Sequence, residues 1–129
     1  MRELIGVWRL RAYTEQGEDG KTRPGPLGER PDGLLIYEPT GFMSVSMMAR
    51  GSTATPESFM GYAGRWQLRG AGRVVHHVAV SAHPQMVGSA QEREFRVEGD
   101  TLTLTGTAVI STKPLVRALR WERVKNGAR

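Results

Sequence analysis

One predicted strand carries polar side chains on a face that is otherwise apolar. Gln91 and Arg93 share that face with Phe95, whereas Glu92 and Glu94 lie on the other, because alternate strand residues point to opposite faces. A buried arginine is costly unless it is paired. Two interpretations stay open for Arg93: an ion pair inside the fold, or a contact to an anion or carbonyl group of a ligand.

Two adjacent histidines lie in another predicted strand. His76 and His77 must point to opposite faces, so the pair cannot chelate one metal ion, and we expect no metal site. The histidine that faces inward is either a hydrogen-bonded interior residue or a group that contacts a ligand, and the sequence does not decide which histidine that is. His83, beside Pro84, is expected in a loop at the rim of the fold.

Several kinds of catalytic site are absent from the sequence. There is no cysteine and no G-x-S-x-G motif, and the glycine pair Gly70 and Gly72 indicates a hairpin turn and not a phosphate loop. The aspartates fall in predicted turns, which disfavours a paired-carboxylate site. An enzyme with this sequence would therefore work through shape, desolvation and one or two hydrogen bonds, without a cofactor.

Composition limits the class of protein. The chain has 129 residues, and this length predicts a single domain over residues 1–129. Its net charge is +5. Basic residues are scattered among acidic ones, so we expect no nucleic-acid partner, although the excess of arginine favours an anionic small ligand. No apolar run reaches the roughly 20 residues of a membrane span, and no secretory signal is recognised. We expect a cytoplasmic protein with no membrane partner.

Turn signals recur about every 8 to 12 residues, which is typical of an all-β sandwich or barrel. The predicted strands cover residues 7–16, 34–37, 42–48, 63–68, 73–81, 89–97, 101–105 and 115–124. One short helix is predicted near residues 55–61, with Thr55 as its cap and Pro56 at its first position. Because closure removes exposed strand edges, we predict an eight-stranded antiparallel up-and-down barrel.

The interior of such a barrel can be filled or can hold one small ligand. Large amphipathic aromatic rings are compatible with a filled interior and with a ligand pocket, and flexible methionines are suited to an adaptable binding surface. We give segment 49–62 equal weight as a lid or as an ordinary loop. Candidate binding residues are Met43, Met47, Phe59, Tyr62, Trp66, His77, Phe95 and Trp121, and candidate catalytic residues that could polarise a carbonyl group are Tyr37, His76, Gln91 and Arg93.

Several blocks of the sequence together resemble the bacterial and fungal lipocalin-like domain family. They lie at residues 4–10, which contain the motif Gly6-Val7-Trp8, and at 33–44, 62–66, 75–78, 84–88, 91–95 and 119–124. The resemblance implies a lipocalin barrel in which Trp8 packs at the closed end against Arg123 or Arg120. It also implies a range of functions, since some similar barrels encoded beside polyketide synthases are cofactor-free cyclases, including catalysts of intramolecular [4+2] cycloaddition.

Three functions follow as hypotheses. The first is a cofactor-free cyclase or isomerase acting on a hydrophobic metabolite such as a polyketide. The second is a non-catalytic intracellular protein that binds or carries the same class of ligand, and the third, less favoured, is a haem or nitric-oxide barrel that uses a rim histidine. The expected partner is a hydrophobic small molecule, and pairing into a homodimer is left open.

Overall fold

The computed structural model describes residues 2–51, 54–110 and 113–125. Those residues form nine strands, with short 3₁₀ helices at Pro56–Ser58 and Pro84–Met86. The strands are β1 (Gly6–Gln16), β2 (Thr22–Pro24), β3 (Pro31–Tyr37), β4 (Phe42–Ala49), β5 (Met60–Leu68), β6 (Arg73–Ser81), β7 (Ala90–Glu98), β8 (Thr101–Ile110) and β9 (Lys113–Arg123).

The strands close into an antiparallel barrel. From β3 to β9 each strand pairs with its neighbour in sequence, and β1 pairs with both β3 and β9. Eight strands therefore form a ring, and the three-residue β2 pairs with the last residues of β1. The predicted eight-stranded up-and-down barrel is confirmed.

Three strands extend at least three residues beyond their predicted bounds. β3 begins at Pro31, β5 begins at Met60 and β8 continues to Ile110. Each extension contains a glycine (Gly33, Gly61 and Gly106), a residue type that weakens the sequence signal of a strand. Pairing with neighbouring strands overrides that weak local preference in the folded chain.

The predicted helix near residues 55–61 is shorter than expected. It is a single 3₁₀ turn at Pro56–Ser58, whose Ser58 N–H donates to the Thr55 hydroxyl at 3.2 Å. The predicted cap is confirmed, but Met60 already pairs with Met47 in the sheet, so the helix cannot continue. Residues 52 and 53 of the predicted lid lie outside the described residues.

A bulge reverses the alternation of side chains in β6. Ala63 pairs with Val80 and Gly64 with Val78, so β6 carries one extra residue opposite β5. Strict alternation predicts Val80 on the same face as His76. Val80 is instead 62% exposed, whereas His76 is 2% exposed. The extra residue reverses which side chains of β6 face inward after the bulge.

One end of the barrel is filled by Trp8 and by the residues that precede β1; we call it the closed end. The fully buried Trp8 indole donates to the Leu4 carbonyl at 2.9 Å, and the Arg123 guanidinium lies 4.2 Å from the Trp8 ring centre. Arg123 also donates to the carbonyls of Ile5 and Glu3 at 2.9 and 2.6 Å. Of the two predicted partners of Trp8, Arg123 is therefore the correct one.

Replacement of Arg123 by alanine is expected to lower the free energy of unfolding by about 2 kcal/mol, because a cation–π contact and charged hydrogen bonds are lost. Urea denaturation followed by tryptophan fluorescence measures the change. Arg120→Ala is the matched control, since Arg120 is exposed on the same strand and should change stability by less than about 0.5 kcal/mol. Equal effects of the two substitutions would contradict the role given to Arg123.

Candidate functional site

The barrel encloses a cavity of about 300 Å³ away from the closed end. This volume lies at the lower bound of typical small-molecule sites, about 300–1,000 Å³. Every strand of the ring contributes to the wall. The apolar side chains that line it include Leu35, Val45, Met47, Met60, Met86, Leu104 and Leu119, and the polar or amphipathic ones include Tyr13, Tyr62, His76, His83, Gln91, Arg93, Arg117 and Trp121.

A chain of hydrogen bonds, which we call the hydroxyl–imidazole chain, crosses the interior from β3 to β5. The Tyr37 hydroxyl lies 2.6 Å from His76 Nε2, and the Tyr62 hydroxyl lies 2.7 Å from His76 Nδ1. Tyr37 is 1% exposed and packs against Trp66 in a tilted arrangement, with the ring centres 4.8 Å apart, whereas Tyr62 lines the cavity. The chain therefore links a fully buried hydroxyl to one on the cavity wall.

Burial holds this chain in its neutral form. It lowers the pKa of His76 to about 3, with a further lowering by the positive charge of Arg93. Burial also raises the pKa of Tyr62 to about 12 and that of Tyr37 well above its usual value. At neutral pH His76 is thus a weak base and both tyrosines are weak acids, so these groups are suited to hydrogen bonding more than to proton transfer.

We infer the tautomer of His76 from the requirement that the more buried of its two tyrosine partners has an acceptor. A neutral imidazole has one donor and one acceptor nitrogen. Among the described residues, His76 Nε2 is the acceptor available to the buried Tyr37 hydroxyl, so Tyr37 donates to Nε2 and the proton lies on Nδ1. Nδ1 then donates to the Tyr62 oxygen. The hydroxyl hydrogen of Tyr62 is left to donate to another acceptor.

Two arginines line the cavity and differ in their partners. Arg117 forms an ion pair with Glu15 at 2.9 Å across the β1–β9 pair. Arg93 donates to the Glu92 carbonyl at 2.8 Å and lies 3.5 Å from the Gln91 side-chain oxygen. Among the described residues it pairs with no carboxylate, so the ion-pair interpretation of Arg93 is wrong.

The architecture and the cavity agree with a comparison against protein families. The family model of the lipocalin-like domain matches residues 5–124. The chain belongs to this family. No curated protein matches the sequence. A lipocalin-like barrel with an unfilled interior is suited to bind a small hydrophobic ligand. In the described part of this lipocalin-like domain, no helix is long and apolar enough to cross a membrane.

The lipocalin-like barrel brings half of the predicted site residues to one cavity. Those that line it are Met47, Tyr62, His76, Gln91, Arg93 and Trp121. Their sheet positions explain this, because Gln91 pairs with His76 and both belong to inward faces of adjacent strands. The sequence left open which histidine faces inward, and the structure places His76 there.

The remaining predicted site residues lie outside the lining. Tyr37 contacts His76 on the side away from the cavity, as part of the hydroxyl–imidazole chain. The buried Trp66 packs against Tyr37 and donates to the Glu38 carbonyl at 3.0 Å. Met43 is buried in the core, and Phe95 is partly buried against that core. His77 points to the opposite face of β6, and Phe59 packs against Gly61 at the outside of the barrel.

Sequence reasoning did not select Tyr13, Arg117 or Met86 as site residues, although all three line the cavity. A bulge after Leu10 changes the alternation of β1 and turns Tyr13 inward, and alternation alone does not reveal a bulge. Arg117 carried a usable signal. It lies four residues before Trp121 in one strand and therefore shares its face.

The stability of this lipocalin-like domain should fall as the pH decreases from 6.5. The unfolded chain takes up a proton at His76 near its ordinary pKa of 6.5, whereas the folded chain does so only near 3, so protonation favours unfolding. Between pH 6.5 and 5 the expected loss is about 2 kcal/mol, measured by urea denaturation.

His76→Gln should remove this part of the pH dependence, and His77→Gln on the opposite face of β6 should retain it. Identical slopes for the wild-type protein and His76→Gln would show that His76 is not held neutral by burial.

Proposed function

We propose that the protein binds a hydrophobic small molecule in its barrel and catalyses a cofactor-free cyclisation or isomerisation, such as an intramolecular [4+2] cycloaddition. The observation that supports this most directly is the hydroxyl–imidazole chain, which ends at the cavity at the Tyr62 hydroxyl. With the tautomer inferred for His76, that hydroxyl can donate to a ligand. The family resemblance favours a polyketide as substrate.

The neutral state of the chain favours cyclisation over an isomerisation that moves a proton. His76, with a pKa of about 3, is too weak a base to remove a proton near neutral pH. In a [4+2] cycloaddition two carbon–carbon σ bonds form at the expense of two π bonds, and no proton or leaving group moves. A hydrogen bond from Tyr62 to a conjugated carbonyl oxygen lowers the barrier by drawing electrons from the alkene.

The apolar wall supplies the second part of the proposed mechanism. Leu35 and Val45 present branched side chains, and Met47, Met60 and Met86 present flexible ones. Such a wall can hold a flexible polyene with its reacting carbons close together. Binding in this conformation removes conformational freedom from the substrate before the reaction begins. The barrier to the unimolecular reaction is therefore lower.

The test uses a synthetic linear polyene ketone that carries a diene and a conjugated alkene. Chromatography follows its cyclisation, and quenching of tryptophan fluorescence measures its binding, since Trp121 lines the cavity. The wild-type protein should accelerate the reaction and favour one stereoisomer. Tyr62→Phe should lower the rate about tenfold, the value of one neutral hydrogen bond, with little change in affinity.

Met48→Leu is the control, because Met48 is exposed on the outer face of β4, outside the cavity, and the substitution removes no donor. It should retain the rate of the wild-type protein. Binding of the ketone without any acceleration would reject catalysis and leave a carrier protein, which is the alternative function.

A further inference from the structure

The cavity contains a buried donor that the protein does not satisfy. Trp121 is 1% exposed and lines the cavity, and its indole Nε1 has no hydrogen-bond partner among the described residues. Buried N–H groups are nearly always paired, because an unpaired one loses its hydrogen bonds to water without replacement. The position therefore favours a ligand that brings an oxygen acceptor into the barrel.

Arg93, which is partly buried, is a second group on the same wall with few protein partners. A guanidinium has five N–H donors, and the contacts of Arg93 among the described residues are the Glu92 carbonyl and the more distant Gln91 oxygen. The carboxylates beside it in β7 do not neutralise it. Glu92 and Glu94 point to the outer face, where both pair with Arg73 at 3.0 and 3.6 Å.

No other carboxylate of the described residues pairs with Arg93. No Asp or Glu of that part of the chain lines the cavity, and Glu15 of β1 forms its ion pair with Arg117. The groups that experience the charge of Arg93 are Tyr13, Tyr37, Tyr62 and His76, and burial disfavours the charged form of each one. Arg93 is thus a positive charge on the cavity wall that no described carboxylate pairs with.

The neighbouring strand leaves room for this guanidinium. Gly106 of β8 lies against Arg93, and a Cβ atom there would come within 3.0 Å of Arg93 Cδ and 3.1 Å of its Nε. A larger residue would push the arginine away from the wall. The glycine thus lets the Arg93 side chain lie against β8 on the cavity wall.

We propose that the ligand of this cavity is an acid with an apolar body, whose carboxylate is bound by Arg93. This inference rests on the proposed binding function and specifies its ligand class. A carboxylate matches the planar fork of a guanidinium and neutralises the charge that no protein carboxylate meets. The remaining donors, on Trp121 and Tyr62, bind further oxygen atoms of the same molecule.

The experiment compares matched probes that differ only in their polar group. The first set is 2-naphthoate, 2-naphthamide and 2-naphthylmethylammonium, and the second is octanoate, octanamide and octylammonium. Isothermal titration calorimetry at pH 7 measures their affinities. In whichever set binds, the carboxylate should bind at least about tenfold more tightly than the amide, and the ammonium should bind most weakly.

Substitutions of Arg93 test whether this residue causes the preference for the carboxylate over the amide. Arg93→Met should lower the affinity for the carboxylate to that of the amide and leave the amide within about threefold, whereas Arg93→Lys, which keeps the charge, should retain part of the preference. Arg96→Met is the matched control, since Arg96 lies on the outer face of the same strand and pairs with Glu98. It should leave both affinities unchanged.

The outcomes separate this inference from the proposed function. Equal affinities for carboxylate and amide would overturn the acid-binding inference and leave ligand binding in place. A preference for the carboxylate that survives in Arg93→Met would also overturn it, because the charge would then come from elsewhere. Failure of both probe sets to bind would overturn the binding function and the inference together.

Discussion

The pairing of β1 with β9 is the contact on which the cavity depends. It turns a row of hairpins into a ring, and it places Leu10 beside Trp121 and Tyr13 beside Leu119. A charged group secures each end of this seam: Arg123 covers Trp8 at the closed end, and Glu15 holds Arg117 at the other. If the seam opened, the walls would separate and the buried histidine would be exposed to water.

The cavity is a consequence of the sizes of side chains along the barrel. Trp8, Tyr37 and Trp66 fill the interior toward the closed end, and each is at most 4% exposed. Toward the other end the lining side chains leave a cavity of about 300 Å³. Close packing at one end supplies stability, while missing volume at the other leaves space for a ligand.

The sequence predicted the ring of strands because turn signals and alternation are local features. It predicted the inward face of β7, with Gln91 and Arg93, for the same reason. The position of Tyr13 and the exposure of Val80 could not be predicted, because each depends on a bulge that is defined only by the partner strand. The hydroxyl–imidazole chain was equally inaccessible, since it joins residues up to 39 positions apart.

The cavity contains a charged group and neutral hydrogen-bonding groups. Each kind is suited to bind a different part of one ligand. Arg93 keeps its charge, while His76 and Tyr62 are held neutral by burial. In a medium of low dielectric constant a fixed charge orients an anion strongly, and a neutral hydroxyl polarises a carbonyl without exchanging a proton. An acid anchored at Arg93 would thus present its carbon chain to the apolar wall, which is the geometry that a reaction controlled by shape requires.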